Sequence, residues 1–238
     1  MPLPTPTLQS ARLLLRPFAE SDAEAIYALQ SNARVLRYWD SPPWTERSRA
    51  DAFIAACRKM EEDGSGARFA IEARDDNAFV GWCSMFRWNP VYRSLGIGYC
   101  LDEPAWGKGY ATEAVRAMLQ WAYGALDLNR VEAELDTRNA ASARVLEKLG
   151  FEREGLRRED CVVSGEVSAV VWPSRSSPMV PPSRIRPPGS VSATRHVRRL
   201  FRPARRPRRR PARQETVRAG AGPAASGPVS RSTAACAA

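Results

Sequence analysis

From residue 11 to residue 18 leucines alternate with polar positions, Leu13 and Leu15 falling on one side, which is the period of a half-buried strand. Ser21-Asp22-Ala23-Glu24 has the form of a capping box, in which the serine accepts from the third amide and the glutamate reaches back. The helix it predicts carries Ile26 and Leu29 on one face and ends near Asn32. Thr45 is expected to cap a second helix, whose Phe53, Ala56, Cys57 and Met60 recur at helical spacing until Gly64. Three strand-like runs follow at 67–73, 79–88 and 94–101, separated by turns at Asp75-Asp76-Asn77 and Asn89-Pro90. Residues 109–126 hold the strongest helical pattern, with Val115, Met118, Leu119, Ala122 and Leu126 in one apolar stripe. Val131, Ala133 and Leu135 alternate as a strand, and Ala143, Val145, Leu146 and Leu149 predict a short helix closed by Gly150 and Phe151. Two final strands are expected at 161–163 and 167–172.

That order, one strand, two helices, three strands, helix, strand, helix, strands, describes a mixed α/β domain around a single sheet. A doubly wound nucleotide fold would alternate strand and helix throughout. Beyond Trp172 the pattern collapses: 11 of the 19 prolines lie there and neither helical nor strand periodicity continues. The reading is a flexible stretch at 1–7, a domain at 8–172 and a disordered Arg/Pro-rich tail at 173–238.

Charge changes the picture of the tail but not of the domain. Up to Trp172 there are 21 Lys+Arg against 25 Asp+Glu, whereas the tail holds 15 Arg and a single acid, Glu215. The net charge of +10 is therefore a property of the tail and says nothing about partners of the domain. Five cysteines without paired spacing, and one histidine (His196) far out in the tail, give no support to a zinc site and fit reduced thiols. No signal-like apolar segment opens the chain and no run is long enough to span a bilayer, so a cytoplasmic protein without membrane contact is expected.

Candidate chemistry concentrates in Trp106-Gly107-Lys108-Gly109-Tyr110-Ala111-Thr112, between a strand and the strongest helix. Two glycines allow close backbone approach, and the first amides of a helix are unpaired at the positive end of its dipole. Together they suit a pyrophosphate, with Lys108 as an added charge. Neither Gly-Lys-Ser/Thr nor Gly-x-Gly-x-x-Gly is present, which excludes the common nucleotide loops.

Taken with Gly98-Tyr99-Cys100-Leu101-Asp102, Asn139-Ala140-Ala141-Ser142 and Val145-Leu146-Glu147-Lys148-Leu149-Gly150-Phe151, this segment resembles the GCN5-related N-acetyltransferase superfamily, in particular the branch of ribosomal-protein N-terminal acetyltransferases. The resemblance implies a sheet of about six to seven strands with a splayed central pair, 97–101 against 130–136. It implies acetyl-CoA as co-substrate and no metal. Its pantetheine arm would borrow backbone hydrogen bonds near Cys100 and Leu101, and its pyrophosphate would rest on the amides of Gly107, Lys108, Gly109, Tyr110 and Ala111 beside Trp106. Asn139 would contact the pantetheine, and Ser142 would protonate the leaving thiolate. A neutral amine would attack the thioester directly, with a backbone amide stabilising the oxyanion. The acceptor would be a protein N-terminus or a small-molecule amine, and the enzyme a monomer or homodimer.

Each residue also has a structural reading. Asn139 is a good helix cap, Ser142 an ordinary helix hydroxyl, and Tyr99 and Tyr110 packing residues. Relatives often read Glu-Ile-Gly-Tyr where this chain reads Gly96-Ile97-Gly98-Tyr99, so the usual carboxylate is missing. Glu72 and Asp102 are the replacements closest in element order, each better explained structurally. Trp39 and Trp44 lie in a loop that shapes the acceptor pocket in similar enzymes. Two other functions fit parts of the chain: a non-catalytic acyl-CoA sensor, given the missing glutamate, and a nucleic-acid-binding protein acting through the basic tail. The tail's composition also fits a frameshifted reading of a GC-rich gene.

Overall fold

The structure is a computed structural model that describes residues 3–163 and 166–175, with side chains up to Arg158. The expectations for the segment from 176 onward, its disorder, frameshift origin and nucleic-acid role, lie outside the described residues.

One sheet runs through the domain. Its strands are β1 (Leu8–Gln9), β2 (Leu13–Pro17), β3 (Ala67–Ala73), β4 (Phe79–Asn89), β5 (Ser94–Leu101), β6 (Arg130–Ala133), β7 (Leu135–Asp136), β8 (Glu152–Val163) and β9 (Glu166–Arg175). Strands β1 to β5 lie side by side in chain order; β6 follows, then β9, which pairs with β6 and β7 along one edge and with β8 along the other. Every pairing is antiparallel except β5 with β6. Strands β6 and β7 form one line interrupted at Glu134.

Helices α1 (Ala23–Ser31) and α2 (Ser48–Asp63) cover one face, and α3 (Tyr110–Leu126) and α4 (Ala140–Lys148) the other. Strand alternation separates the two cores. Leu13, Leu15, Phe69, Ile71, Cys83, Met85, Ile97 and Tyr99 meet the α3 stripe of Val115, Met118, Leu119 and Ala122. Ala70, Trp82 and Cys100 meet Ile26, Leu29, Ile54 and Cys57. Gly64 (φ 70°) and Gly150 (φ 80°) occupy the left-handed positions expected after α2 and α4.

Both expected N-caps differ. Glu20–Asp22 form a 3₁₀ turn, and α1 starts at Ala23 without a side-chain cap. Asp22 is instead engaged by Arg16, through two bonds of 2.7 Å, and accepts the Ala19 amide at 2.8 Å, while Glu72 takes the Arg16 Nε at 2.9 Å. Charge-assisted bonds to a guanidinium outweigh a local serine cap. The second helix begins at Ser48 rather than after Thr45, whose carbonyl accepts from the Tyr27 hydroxyl at 3.3 Å. Its first turn is braced by Arg47, which reaches Glu24 at 2.6 Å and Asp51 at 3.0 Å. At the far edge β8 starts at Glu152, nine residues before the expected Cys161, and β9 continues past Trp172 to Arg175. Residues 152–159 carry no apolar alternation because an edge strand paired on one side tolerates polar residues on both faces.

Candidate active site

Between the end of β5 and the start of α3 the chain makes a short 3₁₀ turn, Glu103–Ala105, capped by the Asp102 carboxylate at 2.8 Å from the Glu103 amide. Gly107 (φ 72°) and Gly109 (φ 80°) then take left-handed conformations, where a side chain would be strained. Packing does not demand glycine at either place. A Cβ on Gly107 would meet nothing within 4 Å, and one on Gly109 only Arg12 Nη2 at 3.6 Å. The space over this loop is open. The first bond of α3 runs from the Glu113 amide to Gly109 O at 3.1 Å, so the amides of Tyr110, Ala111 and Thr112 precede the helical ladder and form its positive end.

A clamp holds that loop against β2. Glu113 accepts from the Arg12 amide, the Ser10 hydroxyl and Arg12 Nε, each at 2.8 Å, while Arg12 Nη1 donates to Lys108 O at 3.0 Å. The Arg12 guanidinium also lies over the Tyr110 ring, 4.6 Å from its centre. Burial alone would raise the Glu113 carboxyl; the Arg12 amide, the Ser10 hydroxyl and the Arg12 guanidinium outweigh it and hold it below the usual carboxylate range. Neither Arg12 nor Glu113 was marked by any local sequence signal, because the pair joins positions 101 apart.

Beside the loop the sheet opens. Strands β5 and β6 pair from Ser94–Arg130 to Ile97–Ala133 and no further, since β7 pairs with β9 alone. The Cys100 carbonyl points to β4, lying 2.2 Å from where a Cβ on Gly81 would sit, so the alternating backbone turns Tyr99 and Leu101 toward the gap. The Leu101 carbonyl accepts the Trp106 indole N–H at 2.8 Å, which ties the loop to the strand end.

On the other side of the gap Asn139 caps α4. Its Oδ1 accepts the Ser142 amide at 3.0 Å, while its Nδ2, fully buried, has no partner among the described residues. The capping reading is thus correct for one half of the side chain and leaves the other half open. Ser142 is no surface hydroxyl: it is 0% exposed, and its Oγ lies 2.9 Å from the Tyr99 hydroxyl. The phenol of β5 and the first turn of α4 are joined through this bond, across the line of the gap.

On the α1/α2 face, residues 32–47 bring Trp39 over Trp82, with ring centres 5.5 Å apart, and Trp44 against Phe53 at 5.8 Å. The indole nitrogens of Trp39 and Trp82 are buried without partners among the described residues. Gly96 is covered by the Phe86 ring, whose edge a Cβ would meet at 2.6 Å, so a side chain at this position would require that ring to shift. Glu72 is held by Arg16 and Asp102 by its cap, which agrees with structural roles for both. Among the described residues no group of three His, Cys, Asp or Glu is placed to hold a metal, and no helix is long and apolar enough to cross a membrane.

A glycine-rich helix start beside a parallel strand pair that parts is the arrangement that the sequence resemblance implies for an acyl-CoA-dependent transferase. The chain belongs to the GNAT acetyltransferase family, whose acetyltransferase (GNAT) domain model matches residues 12–152, and it is an N-acetyltransferase. It is 33% identical over 154 residues to the uncharacterized N-acetyltransferase YoaA of Bacillus subtilis (strain 168), covering 65% of this chain and 87% of that protein. The spermidine N(1)-acetyltransferase of Escherichia coli (strain K12) is 26% identical over 155 residues, covering 64% and 79%. The fold likeness extends to the ribosomal L7/L12 α-N-protein acetyltransferase RimL in complex with coenzyme A, with a TM-score of 0.66 at 23% identity, over 72% of this chain and 98% of that one. These matches are to enzymes and favour catalysis over the sensor and the nucleic-acid-binding readings.

Proposed function

We propose that the chain transfers an acetyl group from acetyl-CoA to a primary amine, a protein N-terminus or a small-molecule amine, in the cytoplasm. Acetyl-CoA supplies an activated thioester. The amides of Gly107, Lys108, Gly109, Tyr110 and Ala111, with the Lys108 side chain, bind its pyrophosphate. Leu101 and the strand around Cys100 offer backbone groups to the pantetheine, Trp106 fixes the strand end, and Asn139 donates through Nδ2. Ser142, bonded to Tyr99, gives a proton to the departing sulfur.

The observation that supports this most is the unpaired Asn139 Nδ2. A buried amide donor left without an acceptor costs about 1–3 kcal/mol, a penalty that a ligand carbonyl relieves. Asn139→Asp tests it, because aspartate keeps an acceptor that caps α4 while replacing the buried donor by a charged oxygen that repels a ligand carbonyl. Titration calorimetry is expected to show acetyl-CoA binding weakened about 10-fold or more in a variant whose melting transition shows that it still folds. Unaltered affinity would remove Asn139 from the binding site.

A further inference from the structure

Amine attack needs a place for the acceptor's positive charge and a destination for its proton, and the strand position where the resemblance leads one to look for a carboxylate, Gly96, carries no side chain and lies under the Phe86 ring. The opposite side of the splay supplies one. Ala133, the last residue of β6 paired with β5, shares the α3/α4 face with Ile97, and Leu135 returns to that face. Glu134 between them therefore projects to the α1/α2 face, at the point where the two strands part. It is only 3% exposed.

Two features mark this carboxylate as more than a strand residue. Arg87 sits in the left-handed region (φ 55°), within the register shift of β4 between Phe86 and Asn89. That bulge carries its guanidinium over the Phe86 ring, 4.9 Å from the centre, to Glu134 Oε1 at 2.5 Å, two strands away. Arg87 leaves Glu134 Oε2 without a partner among the described residues. The second feature is Ser84 on β4, 1% exposed, whose Oγ is also unpartnered. Ser84 stands opposite Gly98, on the same face as Trp82 and Phe86. Gly98 thus lies between Ser84 on one neighbouring strand and Glu134 on the other, and puts no side chain between them.

We infer that Glu134 and Ser84, set on either side of Gly98, receive the ammonium group of the acceptor, and that Glu134 takes its first proton. The inference rests on the amine-acetylation reading above. An ammonium has three donors and no acceptor, which matches one carboxylate oxygen and one hydroxyl with open lone pairs. Transfer of one proton to Glu134 frees the nitrogen lone pair, which forms the N–C bond as the C–S bond breaks. The second amine proton leaves to solvent, solvent returns to Ser142 the proton it gives to sulfur, and Glu134 releases its own proton to solvent, so one proton is released for each acetyl group transferred. Arg87 is a positioning residue, holding the carboxylate through Oε1 and keeping the buried charge compensated until a substrate cation arrives.

The test compares Glu134→Gln, Ser84→Ala and Arg87→Met in the full-length chain. The acceptor is whichever of methylamine, spermidine and a serine-initiated peptide the wild type acetylates fastest, and the rise in melting temperature with acetyl-CoA is read for every variant. Glu134→Gln is expected to cut kcat/KM for the amine by about 100-fold or more while keeping the acetyl-CoA shift. Ser84→Ala is expected to raise the amine KM by about 10-fold. Arg87→Met is expected to lose far less than Glu134→Gln, since the carboxylate survives. Turnover by Glu134→Gln within about threefold of wild type overturns the inference, and so does an equal loss in Glu134→Gln and Arg87→Met, the mark of a purely structural ion pair. Failure of the wild type to acetylate any of the three amines, with the acetyl-CoA shift intact, refutes the amine-acetylation reading itself, and this inference with it.

Discussion

Gly107 and Asn139 shape the site in different ways. Gly107 does so through backbone conformation: φ of 72° turns the chain where no neighbour lies within 4 Å of a would-be Cβ. Gly107→Ala adds a methyl group that touches nothing, so its effect is conformational. The left-handed penalty of about 1–2 kcal/mol predicts a modestly lower melting temperature, and an acetyl-CoA affinity reduced several-fold as the loop amides turn away. Calorimetry on the variant checks both, and unchanged affinity would mean that the loop's conformation is irrelevant to binding. Asn139 does so by division of labour, Oδ1 to the helix and Nδ2 to the gap. From the sequence the cap and the ligand contact stood as rival readings; geometry makes them compatible. Ser142 looked like a helix-surface hydroxyl for a similar reason, because its phenol partner, Tyr99, comes from a strand 43 positions away.

At the scale of elements, the loop before α3 is held by a contact that binds the helix start to β2. Glu113 has its carboxyl held below the usual range, so the stability it contributes is present above the ordinary carboxylate value of 4.5 and is lost as the pH falls below that. Wild type is therefore expected to melt higher than Glu113→Gln near neutral pH, with the difference closing as the pH drops below 4.5. Melting curves across that range check it, and a constant difference would mean that the charge of Glu113 is not what anchors the loop. Elements with strong periodicity, α3 and strands β3, β4 and β5, were legible from the sequence to within a residue or so. The caps of α1 and α2 were not. Arg16 collects Asp22 and Glu72 from segments 6 and 56 positions away, and a local capping pattern carries no trace of that competition. Strand β8 escaped because its pairing with β9, not its own alternation, makes it a strand.

Across the whole molecule the sheet separates two tasks. The α3/α4 face carries the large core and the glycine-rich loop, and the α1/α2 face carries the aromatic cluster around Trp39 and Trp82. The parting of β5 from β6 lies in the sheet between these two faces. Its existence followed from the family resemblance, while Glu134 looked like any polar residue of an alternating strand. The central claim is that this opening and its loop bind acetyl-CoA, and the most direct test is the melting temperature of the full-length chain with and without that ligand. At about 100 times its Kd, a ligand that binds only the folded state stabilises it by about 2.7 kcal/mol, so a clear upward shift is predicted, weakened in Asn139→Asp and Gly107→Ala. A folded chain whose melting temperature does not move at millimolar acetyl-CoA would contradict the account.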